Sequence, residues 1–544
     1  MRAKARRAGG SIVTAHRTAH VPGRVPGPVS GPVSGLASRL ASRLRIGRRR
    51  GADSDSNDDR IMPTLGRTRI GPVATRAAKG TGAETTDVRH EAPSIDDAGT
   101  SDPAESPAAP AGPTARTRRA AWSTRKARSI GIAVVGVLLT IGIIITVGGA
   151  APPPPTTRPL LLGGVIPGPD GPIVLPTDTP AAPPTEAERA WLAEGTVPGG
   201  TGRYREMAER ALLDMRVLSR PDGSVAAAWY GIWKYVWPRD AAWVAAAFTA
   251  TGHDREALAV LRRLATLQRP DGTWEARYRL DGGPVGDRRA AQLDGNGWVP
   301  WAIWFWYVHQ DPKAPETVAA LGELWPTVRG ASDAAAGRLG ADGLPPRGSD
   351  YWETRTDQVT LGTAAPLSAG LRASADLARR TGDAAGAQRW AGASARLDHG
   401  IEAAFGPHDY PRTASAKGGA DTAVTWLGPP FAAPNAKVAG AVRKSAELLT
   451  LPNGGILPGE HWAGDPTAAW TPETASFALF GAASGDRAGA ESRLSWLADH
   501  RTAYGSLPEK VDAHGKPASV APLAWTSATV VLALAALDGP LPIP

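Results

Sequence analysis

The chain has 544 residues, a formal net charge of +9 and no cysteine. That length suits one large helical barrel with flanking segments, and the missing thiols exclude disulfides, thiolate metal sites and cysteine nucleophiles. The charge is uneven: residues 1–128 carry 24 Lys+Arg against 11 Asp+Glu, net +13, leaving 37 against 41, net −4, for the remainder. Nucleic acid is therefore not an expected partner of the globular part.

From Met1 to Arg128 no apolar period is sustained, and Gly, Pro, Ser, Ala and Arg dominate. Such a segment cannot bury enough surface to offset its chain entropy, and it reads as a disordered basic tail. Its first 50 residues hold 12 Lys+Arg and no acid, which suits either anionic lipid or simple solvation.

Ile130 to Gly148 is nineteen residues without a charge, enough for a helix of roughly 28 Å, close to the hydrocarbon thickness of a bilayer. We expect one transmembrane helix over 129–149. Arg116, Arg118, Arg119, Arg125, Lys126 and Arg128 precede it, whereas the next 30 residues offer only Arg158 as a base. The positive-inside rule then puts the tail in the cytoplasm and the rest outside a cell membrane crossed once. A cleaved signal peptide ending near Ala150-Ala151 is the competing reading, against which stands the length of the charged lead-in. Residues 150–184, headed by Pro152-Pro153-Pro154-Pro155, read as a polyproline spacer without a core.

From Thr185 onward, apolar residues recur three and four apart between Gly, Pro and Asp-Gly breaks. The pattern predicts helices over 203–218, 239–251, 254–267, 291–309, 315–337, 359–381, 383–404, 420–427, 435–449, 471–484, 487–500 and 521–537. Twelve helices in antiparallel pairs suit an all-α (α/α)6 barrel over 185–544, although an open solenoid or irregular bundle has the same periodicity. Short strand-like runs near Val225–Trp237 and Trp274–Leu280 suit loop hairpins. The longer connections, 219–238, 268–290, 338–358, 405–419, 450–470 and 501–520, alternate with tight ones, as if every second junction opened onto one functional rim.

Two of those connections carry candidate acids. In Ser349-Asp350-Tyr351-Trp352-Glu353 a carboxyl sits beside an indole, and apolar surroundings favour the protonated form that a general acid needs. Glu509, in Ser506-Leu507-Pro508-Glu509-Lys510, is the candidate partner. Glycosidic hydrolysis takes two carboxyl groups, and about 6.5 to 9.5 Å between them leaves room for a water molecule. Nineteen Trp against six Phe suit sugar stacking as well as core packing. Glu460 and His461 read as surface loop residues or as a pocket rim. The dispersed His residues show no metal-ligand spacing, and no cofactor-binding motif is present.

Tyr235-Val236-Trp237-Pro238-Arg239-Asp240, Gln268-Arg269-Pro270-Asp271-Gly272-Thr273-Trp274, Gln292-Leu293-Asp294, the Ser349–Glu353 stretch, and Leu507-Pro508-Glu509 with Ala521-Pro522-Leu523-Ala524-Trp525-Thr526 follow one another in the order found in a known family. Over roughly 200–537 the chain resembles the glucoamylase-like enzymes of glycoside hydrolase family 15. The resemblance implies an (α/α)6 barrel and hydrolysis with inversion, releasing a monosaccharide from the non-reducing end of an α-linked oligo- or polysaccharide. It implies Glu353 as general acid and Glu509 as general base. Trp237, Arg239 and Asp240 would line the terminal-sugar subsite, with Asp350, Trp352, Gln292 and Asp294 as further substrate contacts. Thr354 stands where many relatives carry a second acid. A non-catalytic glycan-binding protein and a polysaccharide lyase remain the alternatives on the same scaffold.

Overall fold

The computed structural model describes residues 156–544 apart from position 288. The expected basic tail, the apolar stretch 130–148 and the proline run lie outside the described residues. Among the described residues no helix is long and apolar enough to cross a membrane.

Twelve α-helices follow in order: α1 (Glu186–Leu192), α2 (Arg203–Leu218), α3 (Pro238–Ala250), α4 (Asp254–Leu267), α5 (Gly295–Val308), α6 (Pro315–Gly337), α7 (Leu361–Thr381), α8 (Ala384–Ala404), α9 (Ala436–Leu449), α10 (Thr471–Ala483), α11 (Arg487–Asp499) and α12 (Ala524–Asp538). Helix α3 packs on α5, α5 on α7, α10 on α12, and α12 back on α3. The arc between α7 and α10 is closed by a 3-10 segment, Thr422–Leu427, which touches both. The inner ring is therefore closed, and α2, α4, α6, α8, α9 and α11 stand outside it. This is an (α/α)6 barrel in which the fourth inner member is a single tight turn.

The sequence explains the two layers. Along α3, α5, α10 and α12 nearly every residue is buried, as for helices enclosed on all sides. Outer helices are amphipathic; α4 buries Ala257, Val260, Leu261, Leu264 and Leu267 on one stripe. Three of them are capped by side chains, with Asp383, Asn435 and Asp486 accepting first-turn N–H groups of α8, α9 and α11. Inner helices α3 and α10 begin instead with Pro238 and Pro472 in their first turns and have no side-chain cap. Where α5 meets α7 the backbones nearly touch: a Cβ on Gly297 would lie 2.1 Å from the Pro366 carbonyl oxygen, and one on Gly370 would lie 2.5 Å from that of Gly297. The middle of the ring is filled with aromatics, Trp243, Trp298, Trp301, Trp426 and Phe431, with ring centroids 5.0 to 5.9 Å apart.

Outer-to-inner connections are long and inner-to-outer ones short, so the long loops gather at the N-terminal ends of the inner helices. Two of them pair into an antiparallel sheet of β3 (Ala469–Trp470), β4 (Lys510–Val511) and β5 (Pro517–Ala518), with Trp470 opposite Lys510 and Lys510 opposite Ala518. The runs expected as hairpins meet each other, Val236 and Tyr278 exchanging both backbone hydrogen bonds at 2.8 Å.

The spacer expected up to residue 184 differs from the structure. Strands β1 (Gly164–Ile166) and β2 (Ile173–Leu175) form a hairpin, and Leu162 and Val165 are fully buried in the main core. Leu161 N–H donates to Ser519 O at 2.8 Å and Ser519 N–H to Arg158 O at 3.1 Å. Three consecutive leucines and the alternation around Val165 supply apolar surface that the prolines obscure.

Candidate active site

One cavity of about 240 Å³ opens among the long loops, and Trp237, Arg239, Asp240, Trp352, Glu353 and Glu509 all line it. Glu353 and Glu509 thus converge on one space from separate connections.

The Glu353 side is built by a tight turn. Asp350 is fully buried; both its oxygens accept from Arg412 Nη2, at 2.8 and 3.0 Å, and Oδ1 also accepts from the Trp352 N–H at 3.1 Å. The Glu353 N–H donates to Asp350 O at 2.8 Å, and Glu353 takes the left-handed backbone at φ 59°. A non-glycine residue there costs on the order of 1–3 kcal/mol, offset here by the fixed turn. The Arg412 guanidinium lies 3.9 Å over the Trp352 ring, and Tyr351 OH donates to Asp421 Oδ1 at 2.9 Å. Asp350 therefore stands behind the cavity and shapes the turn that presents Trp352 and Glu353. At the tip, Trp237 Nε1–H donates to Glu353 Oε1 and Arg289 pairs with Oε2. The expected apolar wall against the acid is supplemented by two donors, one of them cationic.

Glu509 immediately precedes β4, with its N–H donating to Val520 O at 2.8 Å and its carbonyl accepting from Thr471 N–H at 3.1 Å. Its Oε1 accepts from Trp233 Nε1–H at 3.0 Å, its Oε2 accepts from Ser519 Oγ–H, and Lys510 Nζ lies 3.6 Å from Oε2. Every one of these partners is a donor, so the carboxyl is held in place as an acceptor at the cavity wall, the role a general base fills.

Arg239 and Asp240 open α3 and face the cavity. Arg239 Nε–H donates to Asp240 Oδ1 at 3.2 Å, and Nη1 donates to Gln292 Oε1 at 3.0 Å and Asp294 Oδ2 at 3.1 Å. Gln292 and Asp294 do not line the cavity; they hold Arg239 from behind. Burial pushes the Asp240 carboxyl up to about 6, against the pull of Arg239 and with Asp294 adding to the rise. Glu460 and His461 are also outside the lining: Glu460 Oε2 accepts from the Ala420 N–H, and His461 bonds Lys417 O.

No family model matches the sequence, and no curated protein matches it. Solved structures do. A glycosidase variant superposes with a TM-score of 0.53 at 18% identity, covering 62% of this chain and 97% of its own. A glycosidase variant in complex with glucose gives 0.53 at 19%, with the same 62% and 97%. A bacterial glucoamylase complexed with acarbose gives 0.52 at 17%, covering 65% of this chain and 58% of that one. The fold is that of the glucoamylase-like glycosidases.

On this glucoamylase-like scaffold, sequence reasoning missed several lining residues: Trp233, Arg277, Arg289, Trp470, Lys510 and, above all, Glu473. Glu473 lies in the first turn of α10, where an acid reads as a favourable partner of the helix dipole and draws no attention. Its signal was its company, Thr471-Pro472-Glu473-Thr474-Ala475 opening a helix that is buried throughout. Among the described residues no cluster of His, Asp and Glu could hold a metal ion.

Proposed function

We propose that this chain is an inverting exo-glycosidase that releases a monosaccharide, glucose by preference, from the non-reducing end of α-linked saccharides. One observation carries the reading: Glu353 and Glu509 line the same cavity, one on a strained turn beside Trp352 and one held as an acceptor by Trp233 and Ser519. Glu353 protonates the glycosidic oxygen, and Glu509 takes a proton from the attacking water. Arg239 and Asp240 hold hydroxyls of the terminal ring. A cavity of about 240 Å³ falls below the roughly 300 Å³ where pockets for drug-sized ligands begin, a size for one ring rather than a chain. The apolar stretch 130–148 tethers the domain to the outer face of a cell membrane, on the charge asymmetry of its flanks.

The Arg289 contact with Glu353 favours a second reading, a glycan-binding protein without turnover, because a cation against an acid opposes the protonated form that catalysis needs. The two separate on Glu353→Gln and Glu509→Gln, assayed on a panel of α-linked oligosaccharides. Hydrolysis predicts losses of about 10²- to 10⁴-fold in kcat with binding retained. Saccharide binding without reducing-sugar release, in wild type and variants alike, supports the second reading.

A further inference from the structure

Besides Glu353, Glu509 and Asp240, the cavity holds a fourth carboxyl group to which the acid–base pair and the hydroxyl-holding residues assign no role. Glu473 is 2% exposed, lines the cavity, and its Oε2 is buried with no hydrogen-bond partner. Several lining donors are already engaged: the Trp233 and Trp237 indoles by the two acids, Arg239 by Asp240, Gln292 and Asp294, and two Arg277 nitrogens by Asp287 and the Ile232 carbonyl. The Trp352 and Trp525 indoles and Arg277 Nε keep unpartnered N–H groups on the lining, so a sugar finds a few fixed donors beside four carboxyl groups.

We propose that Glu473 serves the bound sugar as a neutral carboxylic acid, donating its O–H to an oxygen of the terminal ring and so adding a donor to a site rich in carboxylates. This rests on the glycosidase reading of the cavity. The surroundings agree. Burial pushes the Glu473 carboxyl up to about 8; Glu509 and Asp421 act in the same direction, and Arg239 acts against them. At neutral pH the group keeps its proton, and an O–H with no protein acceptor is available to a ligand. Ionised, it would set a buried charge against Glu509, opposed only by its own backbone N–H and by Arg239, which Asp240 and Asp294 already engage. Glu473 is thereby a contact that reads ring oxygens, distinct from the pair that makes and breaks bonds.

The test uses the full chain with Glu473→Gln, which keeps a neutral donor, and Glu473→Met, which keeps the bulk and loses it. Far-ultraviolet dichroism establishes that both fold. D-glucose binding by calorimetry and kcat and KM on maltose are then compared. Met is expected to weaken D-glucose binding and kcat/KM by about 10- to 100-fold, mainly through KM, with Gln within about 3-fold of wild type. A substrate-free arm follows melting temperature between about pH 5 and about pH 9. The wild-type folded state binds the extra proton, so its stability falls as pH rises from the ordinary carboxylate range to about 8, and Gln gains on it across that window. A folded Met variant with wild-type D-glucose binding, a Gln variant as impaired as Met, a flat melting difference, or a wild type that does not bind D-glucose each overturns the assignment. A wild type that binds D-glucose but hydrolyses nothing counts against the glycosidase reading alone, and the binding arm still decides for or against Glu473.

Discussion

The indole N–H of Trp233 reaches Glu509 Oε1 at 3.0 Å, and the loop that carries it ends, four residues later, in the indole that donates to Glu353. One connection, 219–237, thus addresses both acids. It is pinned in turn by Ala524 N–H donating to Ala227 O at 2.8 Å and by the Val236–Tyr278 pairing. Trp233→Phe keeps the ring and removes the donor. We expect kcat to fall about 10-fold with KM little changed, measured by steady-state kinetics, because the base loses one of the two bonds that aim it.

Arg289 pairs with the oxygen of Glu353 that a proton would occupy. A protonated Glu353 can still accept from Trp237 on its other oxygen but cannot keep that pair. If Arg289 only restrains the acid, Arg289→Gln raises kcat or leaves it unchanged. If Arg289 also grips the saccharide, the same substitution raises KM severalfold. Steady-state constants on maltose and on longer α-linked chains separate the two.

Asp421 lies under the turn that carries Glu353, accepting from Tyr351 OH and the Ala423 N–H. Burial, reinforced by Asp350 and opposed by Arg412, pushes its carboxyl up to about 7. Its folded pKa exceeds the unfolded one, so the native state binds the extra proton and wild-type stability declines as pH rises from about 4 to about 7. Asp421→Asn keeps the acceptor and removes the titration. Its melting temperature, relative to wild type, should rise across that window, as differential scanning calorimetry at stepped pH would reveal.

Gly370 faces the Gly297 backbone. Gly370→Ala forces α5 and α7 apart in the most tightly packed part of the ring, at a cost of about 1–3 kcal/mol or more. Urea unfolding should show a lower midpoint, while Gly392→Ala, on the outer helix α8 with nothing near its Cβ position, should cost nothing or stabilise slightly.

The N-terminal arm is part of the domain. Arg158 and Leu161 bond both sides of Ser519, whose hydroxyl donates to Glu509. A chain beginning at residue 185 should lose both melting temperature and activity relative to one beginning at 156, with kcat falling more than the thermal shift explains.

Much of this was legible in the chain because helical periodicity survives in long, strongly patterned segments. Nine of the twelve expected helices begin and end within about two residues of the observed ones. The stretch 291–309 starts late, at Gly295, because Gln292 and Asp294 are drawn into bonds with Arg239. The 420–427 helix became a 3-10 turn: Asp421 caps it tightly and Gly428-Pro429-Pro430 stops it at once. Residues whose importance lies in a partner far along the chain were not legible. Ser519, Trp233 and Arg289 are unremarkable until the loops meet, and Asp350 resembles a ligand contact until Arg412 is seen to occupy both its oxygens.

The most direct measurement is the anomeric form of the glucose released from methyl α-maltoside, whose blocked reducing end yields only one free sugar, followed by proton NMR before mutarotation. Glu353 and Glu509 acting as acid and base across one water predict β-glucose. Release of α-glucose would contradict the account, as would β-glucose formed at an undiminished rate after Glu509→Gln.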